Sequence, residues 1–513
     1  MTPRAGQTEA VINGYASTMR ILLLATVIAA FAVGQKPPNI ILFMVDDLGW
    51  QDVSVPFHAN KTEFNRRYRT PNLEKLAARG VKFTNGYASA PVCTPTRTSL
   101  MTGQCPARTH ITYWTLRKDR DQSAKHALVR APKWDVNALQ GKRTTLPRAL
   151  KAMGGYGSIH AGKAHLGAKG TRGEDPTNLG FDVNIAGHAA GGPGSYYGVH
   201  DFSAKHRSQD RVWDVPGLDA YHGKDIYMTE ALAIEARKAM RKVAKRGRPF
   251  FVHFAPYAVH APIMANKRYL KHYEGLHPKE AAYATMIETA DAALGALLEE
   301  VEALGQTERT VVIFTSDNGG LSAHARGGKR HTHNAPLRSG KGSAYEGGVR
   351  VPWVVAWPGV TKPGSVNDQV VVTHDLFPTL LSMTGRSSGR ARSAALDGKD
   401  LVPVLRGGAL AGEERSVLWH MPHFWGVNGP GIAPYSAVRH GKWKLLYFHG
   451  SRKLELYDLD ADIGETRDLS ASRPEVLKRM GSLLTQRLRD AKAQMSIDVK
   501  TGEAVPFPDA LIR

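Results

Sequence analysis

Cysteine is nearly absent: Cys93 and Cys105 are the 2 in a chain of 513 residues. So sparse a set builds no disulfide framework, and the fold must hold by packing and by any ion its side chains gather. Acidic residues are also short, 46 against 68 lysines and arginines, which leaves a formal charge of +22. Such a surface attracts polyanions: nucleic acid, anionic lipid or sulfated polysaccharide. Nucleic acid ranks last, because no long basic block and no interleaving of basic with aromatic residues occurs. Internal repeats and low-complexity segments are missing as well. The stretch 21–34 behind Arg20 is apolar, too short for a comfortable membrane span, and reads as a signal peptide. Residues 1–34 are therefore the expected leader, and because the polar residues before Met19 fit no targeting class, its expected true start is Met19 rather than Met1. No second apolar run is long enough to anchor the mature chain. It is therefore expected to be periplasmic or secreted, with no membrane anchor after cleavage. The composition, 42% apolar and 22% charged, is ordinary for a globular chain with one large domain and one smaller.

What is there is organised around Cys93-Thr94-Pro95-Thr96-Arg97. If a helix starts here, Pro95 sits in its first turn, where a missing N–H costs nothing. Arg97, four residues past Cys93, then faces the same way. The N-terminal end of that helix would attract anions and lower the thiol's pKa. Two plainer readings stay open on these residues alone: Cys93 as a small buried apolar side chain, or as the disulfide partner of Cys105.

Two apolar runs end in oxygen donors. Asn39–Val45 leads into Asp46 and Asp47, and Val311–Ser316 into Asp317 and Asn318. Continuous apolar runs of this kind are strands buried on both faces of a parallel sheet, and open α/β sheets bind ligands at the carboxyl ends of their strands. Adjacent carboxylates there repel unless a cation holds them, though Asp-Asp can also simply cap a loop. If a metal is held, the all-oxygen set Asp46, Asp47, Asp317 and Asn318 suits Ca²⁺ first and Mg²⁺ second. Val81–Tyr87 and Val351–Trp357 read as further strands, and 280–304 as a core helix. The loops 111–145, 196–222 and 321–333 are the expected seats of specificity, the first basic and the last a basic, glycine-rich loop carrying His324, His331 and His333.

These motifs together identify a family. Cys93–Gly103, Asp46-Asp47-Leu48-Gly49-Trp50, Gly162-Lys163-Ala164-His165-Leu166-Gly167, His260-Ala261-Pro262 and Asn334–Arg350 resemble the formylglycine-dependent sulfatases of the alkaline-phosphatase superfamily. The resemblance covers most of the chain after residue 38. It implies an α/β fold, a large mixed, mostly parallel sheet sandwiched by helices, in a catalytic domain over 35–406. A smaller α+β subdomain over 407–513 would follow. It also implies that a formylglycine-generating enzyme oxidises Cys93 to an aldehyde whose hydrate is the nucleophile, deprotonated with help from Asp317. By the same resemblance Arg97, Lys163 and Lys341 are sulfate-facing cations and His165 takes a proton from the hydrate. His260 protonates the leaving oxygen, and Ser195 hydrogen-bonds sulfate. The family pattern has tryptophan where this chain has Ala164, which puts one wall of the site in question. The expected function is an exported sulfatase acting on a sulfated small molecule or polysaccharide. The rivals are a phosphomonoester or phosphonate-ester hydrolase of the same superfamily, and an inert polyanion-binding relative.

Overall fold

The apolar run Asn39–Val45 forms β1, the middle of the molecule, and it is buried on both faces. The computed structural model describes residues 36–386, 395–410 and 415–512; the expected leader lies outside them. Strand side chains alternate between faces. Ile41, Phe43 and Val45 accordingly enter one apolar cluster and Ile40, Leu42 and Met44 the other.

Seven more strands complete this sheet: β2 (Val81–Phe83), β3 (Gly157–Gly162), β4 (Val183–Ile185), β5 (Phe250–Ala255), β6 (Thr310–Ser316), β7 (Val354–Ala356) and β8 (Ser365–Asn367). Their order is β8-β2-β7-β6-β1-β5-β3-β4. All neighbours run parallel except at β7, which is antiparallel to β2 and β6. Helices α1 (Pro71–Arg79), α4 (Met228–Lys245) and α5 (Pro278–Ala303) cover one face. Helices α2 (Cys93–Thr102), α3 (Leu146–Gly154) and α6 (Leu376–Ser382) cover the other. The large mixed, mostly parallel sheet sandwiched by helices, which the resemblance implies, is therefore present.

Two local expectations change. Val81–Tyr87 is not one strand: β2 stops at Phe83, and Gly86–Tyr87 pairs separately with Val371–Val372. The strand expected at 351–357 shrinks to β7 and runs against its neighbours. In the C-terminal part the sheet is a four-stranded antiparallel meander, β9 (Ser416–Met421), β10 (Tyr435–His440), β11 (Trp443–Phe448) and β12 (Leu454–Asp458); β9 escaped the sequence reading. Helix α7 (Pro474–Asp490) packs Met480, Leu484 and Leu488 against this sheet. The meander is tied to the larger sheet's loops through Trp419, whose indole N–H donates to Ala88 O, and through Lys444 on Glu346. Among the described residues no helix is long and apolar enough to cross a membrane.

Candidate active site

The register of the sheet builds the floor of the site. β1 and β6 lie side by side with Val45 opposite Ser316, so the acidic residues that follow each strand emerge together. The Asp47 backbone N–H donates to Asp317 Oδ1 at 3.2 Å. Asn318 Nδ2 donates to Asp47 Oδ1 at 2.8 Å. Asp47 itself has φ +59°, a left-handed turn that aspartate tolerates better than most residues.

Helix α2 begins at Cys93, after Val92, and no side chain caps it. Cys93 Sγ lies within 4.8 Å of carboxylate oxygens of Asp46 and Asp317, and equally close to Asp47 and His260. Neither cysteine is disulfide-bonded, so the disulfide reading fails; Cys93 is buried, but it belongs to none of the apolar clusters and its Sγ lies 3.6 Å from Lys341 Nζ. One expectation is reversed. Burial pushes the Cys93 thiol up, even with Lys163 and Lys341 pulling the other way. Desolvation outweighs the helix terminus.

Three cations face the three carboxylates. Lys163 Nζ donates to Asp46 Oδ1 and Oδ2 at 2.8 and 2.7 Å. Arg97 Nε donates to Asp317 Oδ2 and Nη1 to Lys163 O, both at 2.8 Å. Lys341 Nζ donates to Asp47 Oδ2 at 2.8 Å and lies 3.6 Å from Cys93 Sγ. Burial alone would raise the Asp47 carboxyl, but Lys341 and His260 hold it well below the usual range. Asp46 goes the other way: burial, reinforced by Asp317 and Asp47, outweighs Lys163 and raises it. The set is fully buried, and Asn318 Oδ1 and Arg97 Nη2 have no hydrogen-bond partner. An orphaned amide oxygen beside three carboxylates is a donor set that a hard, oxygen-seeking cation fits.

The two histidines are held differently. His165 Nε2 pairs with Thr115 O at 2.7 Å; a carbonyl only accepts, so Nε2 carries the proton and Nδ1 is the free lone pair. Nδ1 has no partner, and burial with Lys163 nearby drives the imidazole well below its ordinary value. Lys163 and His165, two residues apart, do not follow the alternation of an extended segment, because His165 has φ +52°. His260 donates from Nδ1 to Ala261 O at 2.7 Å and leaves Nε2 3.7 Å from Asp47 Oδ2. Burial and then Lys341 bring its pKa down to about 3. Glycine is required between the two rings. A Cβ on Gly191 would stand 2.4 Å from His165 Cε1, and one on Gly192 2.8 Å from His260 Nδ1.

Above this floor opens a cavity of about 240 Å³, into which Asp47, Cys93, His165, His260 and Lys341 all face. Its walls are Trp114, Trp213, Trp425, Leu321, His324 and Val427. Each of the three loops expected to set specificity contributes, and Trp425 and Val427 come from a fourth, between β9 and β10, that carried no motif. Ala164 does not line the cavity; it packs into the apolar cluster with Leu139 and Leu166. Ser195 does not line it either, and its Oγ is engaged by His200 Nδ1 and the Tyr197 N–H. His331 and His333 also stay out of the wall.

The family model described as sulfatase matches residues 38–386. A second, described as N-sulphoglucosamine sulphohydrolase, C-terminal, matches 340–494. A sulfatase of Formosa agariphila is 30% identical, covering 92% of this chain and 92% of that protein. Human N-acetylgalactosamine-6-sulfatase is 30% identical over 90% of this chain and 88% of its own length. Among solved structures, Ps i-CgsB superposes with a TM-score of 0.71 at 25% identity, covering 89% of this chain and 94% of that one.

Proposed function

Since the chain belongs to the sulfatase family and is a sulfuric ester hydrolase, we propose that Cys93, as formylglycine, is the centre of its reaction. The observation that carries this reading is the position of Cys93 Sγ, 3.6 Å from Lys341 Nζ and within 4.8 Å of the Asp46–Asp317 oxygens. As formylglycine hydrate, residue 93 supplies two hydroxyls, one to attack sulfur and one whose deprotonation releases sulfate. Asp46, Asp47, Asp317 and Asn318 would hold Ca²⁺, with Mg²⁺ second, which adds positive charge at the sulfuryl oxygens.

The remaining work falls to this chain's own side chains. Arg97, Lys163 and Lys341 are fixed before substrate arrives, so they favour charge building on those oxygens without reorganising. His260 lines the cavity with Nδ1–H held by Ala261 O and Nε2 bare; the substrate's sulfate anion raises its proton affinity, so that Nε2 takes up a proton from solvent and passes it to the departing oxygen. His165, locked by Thr115 O into the tautomer with a bare Nδ1, is the acceptor for the second hydroxyl's proton. Asp317, hydrogen-bonded by Arg97 and the Asp47 N–H, assists deprotonation of the first hydroxyl.

The substrate is a sulfated carbohydrate, met outside the cytoplasm. The net charge of +22 and the named sugar of the human relative support this, as does the leader-like stretch 20–34. The test compares sulfate release from 4-nitrophenyl sulfate with phosphate release from its phosphate analogue. Sulfate release should dominate and vanish in Cys93→Ser, which lacks the second hydroxyl. Faster turnover of the phosphate would favour the phosphomonoester reading, and a Cys93→Ser variant near wild-type rate would overturn this one.

A further inference from the structure

We propose that Trp114, Trp213 and Trp425 are the specificity-determining residues and that they select a single, otherwise uncharged pyranose carrying one sulfate, a hexose or hexosamine rather than a hexuronate. This deepens the sulfatase reading and rests on it.

Charge is confined to the bottom of the cavity. Among the described residues that line it, the charged side chains are Asp47 and Lys341, and these pair with each other at 2.7 Å. Higher up the lining is apolar or aromatic. Trp114 and Trp213 share one apolar base, formed by Leu116, Ala190 and Val212. Trp425 stands apart from them, its ring centroid 5.7 Å from that of His324. It lies flat enough on Gly342 that a Cβ there would come within 2.3 Å of Trp425 Cε3.

No lysine or arginine is among the residues that form this wall, in a chain whose net charge is +22. A ring carboxylate or second sulfate would lose water against the indoles with no lysine or arginine of the wall to receive it. The C–H faces of a neutral pyranose instead bury apolar area on the indoles. About 240 Å³ lies below the roughly 300–1,000 Å³ typical of drug-sized ligands, so the cavity suits one ring and its ester rather than a length of polysaccharide.

The test measures binding without turnover. Cys93→Ala protein, with calcium present, is titrated calorimetrically with the monosulfated N-acetylgalactosamines (3-, 4- and 6-sulfate) and with monosulfated glucuronates (2- and 3-sulfate). The tightest hexosamine should bind at least about tenfold better than the tightest glucuronate. Adding Trp213→Ala or Trp425→Ala should weaken it by about tenfold or more, and Trp213→Phe, which keeps a ring face, by no more than about threefold. Equal or tighter binding of a glucuronate, undiminished binding in both alanine variants, or no binding of any of these sugars would overturn the proposal. Failure of the sulfatase reading would show separately, as wild-type protein that releases no sulfate from 4-nitrophenyl sulfate.

Discussion

Two arginines, Arg97 and Arg326, have fully buried side chains, and their surroundings differ in one instructive way. Arg326 is saturated. It donates to Asp52, to both oxygens of Glu280 and to the Tyr68 hydroxyl, and its guanidinium lies 3.9 Å from the Tyr283 ring centroid. Arg97 is not: Nη2 stands 3.7 Å from Asp46 without a hydrogen bond, and the nearby Asn318 Oδ1 and His165 Nδ1 are also unpartnered. Both clusters set cations against carboxylates at similar depth. The closed one locks a loop; the open one keeps polar atoms for something that arrives later. Buried charge alone does not mark a site, whereas orphaned polar atoms beside a cavity do.

The sharpest way to break this contrast is to make the same change in both clusters. Arg97→Lys should lower kcat for sulfate release by roughly 10²–10³, the usual cost of losing a preorganised donor, with a small effect on melting temperature. Arg326→Lys should do the reverse, costing on the order of 2 kcal/mol of stability through lost charged hydrogen bonds while kcat stays within about twofold. Equal kcat losses in the two variants would erase the distinction.

Acid should find the closed cluster next. Burial alone would raise Glu280, but Arg326, Tyr68 and Arg67 hold it down to about 2 against an ordinary 4.5. A carboxyl lowered on folding stabilises above its unfolded value and loses that contribution as pH falls through its folded one. About 3 kcal/mol should therefore disappear between about pH 4.5 and 2. Denaturant titrations should show Glu280→Gln less stable than wild type at neutral pH, with the two curves converging in acid. Parallel curves would mean that the cluster contributes nothing.

A third test belongs to the open cluster. Calcium at about 100 times its Kd should stabilise wild type by about 2.7 kcal/mol, read as a rise in melting temperature that a chelator reverses. Asp317→Asn should lose most of that rise, and Glu280→Gln should keep it.

Much of the catalytic floor was legible in the sequence because its parts obey local rules. Ile40–Val45 could only be a strand buried on both sides, and the carboxylates after it had to stand at the sheet's ligand-binding edge. Arg326 was not legible: in a glycine- and histidine-rich loop it reads as solvated, and its partners Asp52 and Glu280 are distant in sequence. Burial also outweighed one local argument, the thiol pKa at the helix terminus, and a left-handed turn at His165 broke the alternation that would follow from Lys163. Trp425 was hidden for a third reason. It belongs to the C-terminal meander, and only the close packing of its ring on Gly342 brings it over Lys341. β9 was missed as well, because its short run 416–421 is broken by Ser416 and His420 and shows no clean two-residue period.

The central claim is that the open cluster surrounds an aldehyde. Mass spectrometry of the peptide carrying residue 93, from active protein made in its native host, tests this directly. The account predicts a side chain in which sulfur and two hydrogens have been replaced by one oxygen. A fully active preparation in which residue 93 is entirely free thiol would contradict it.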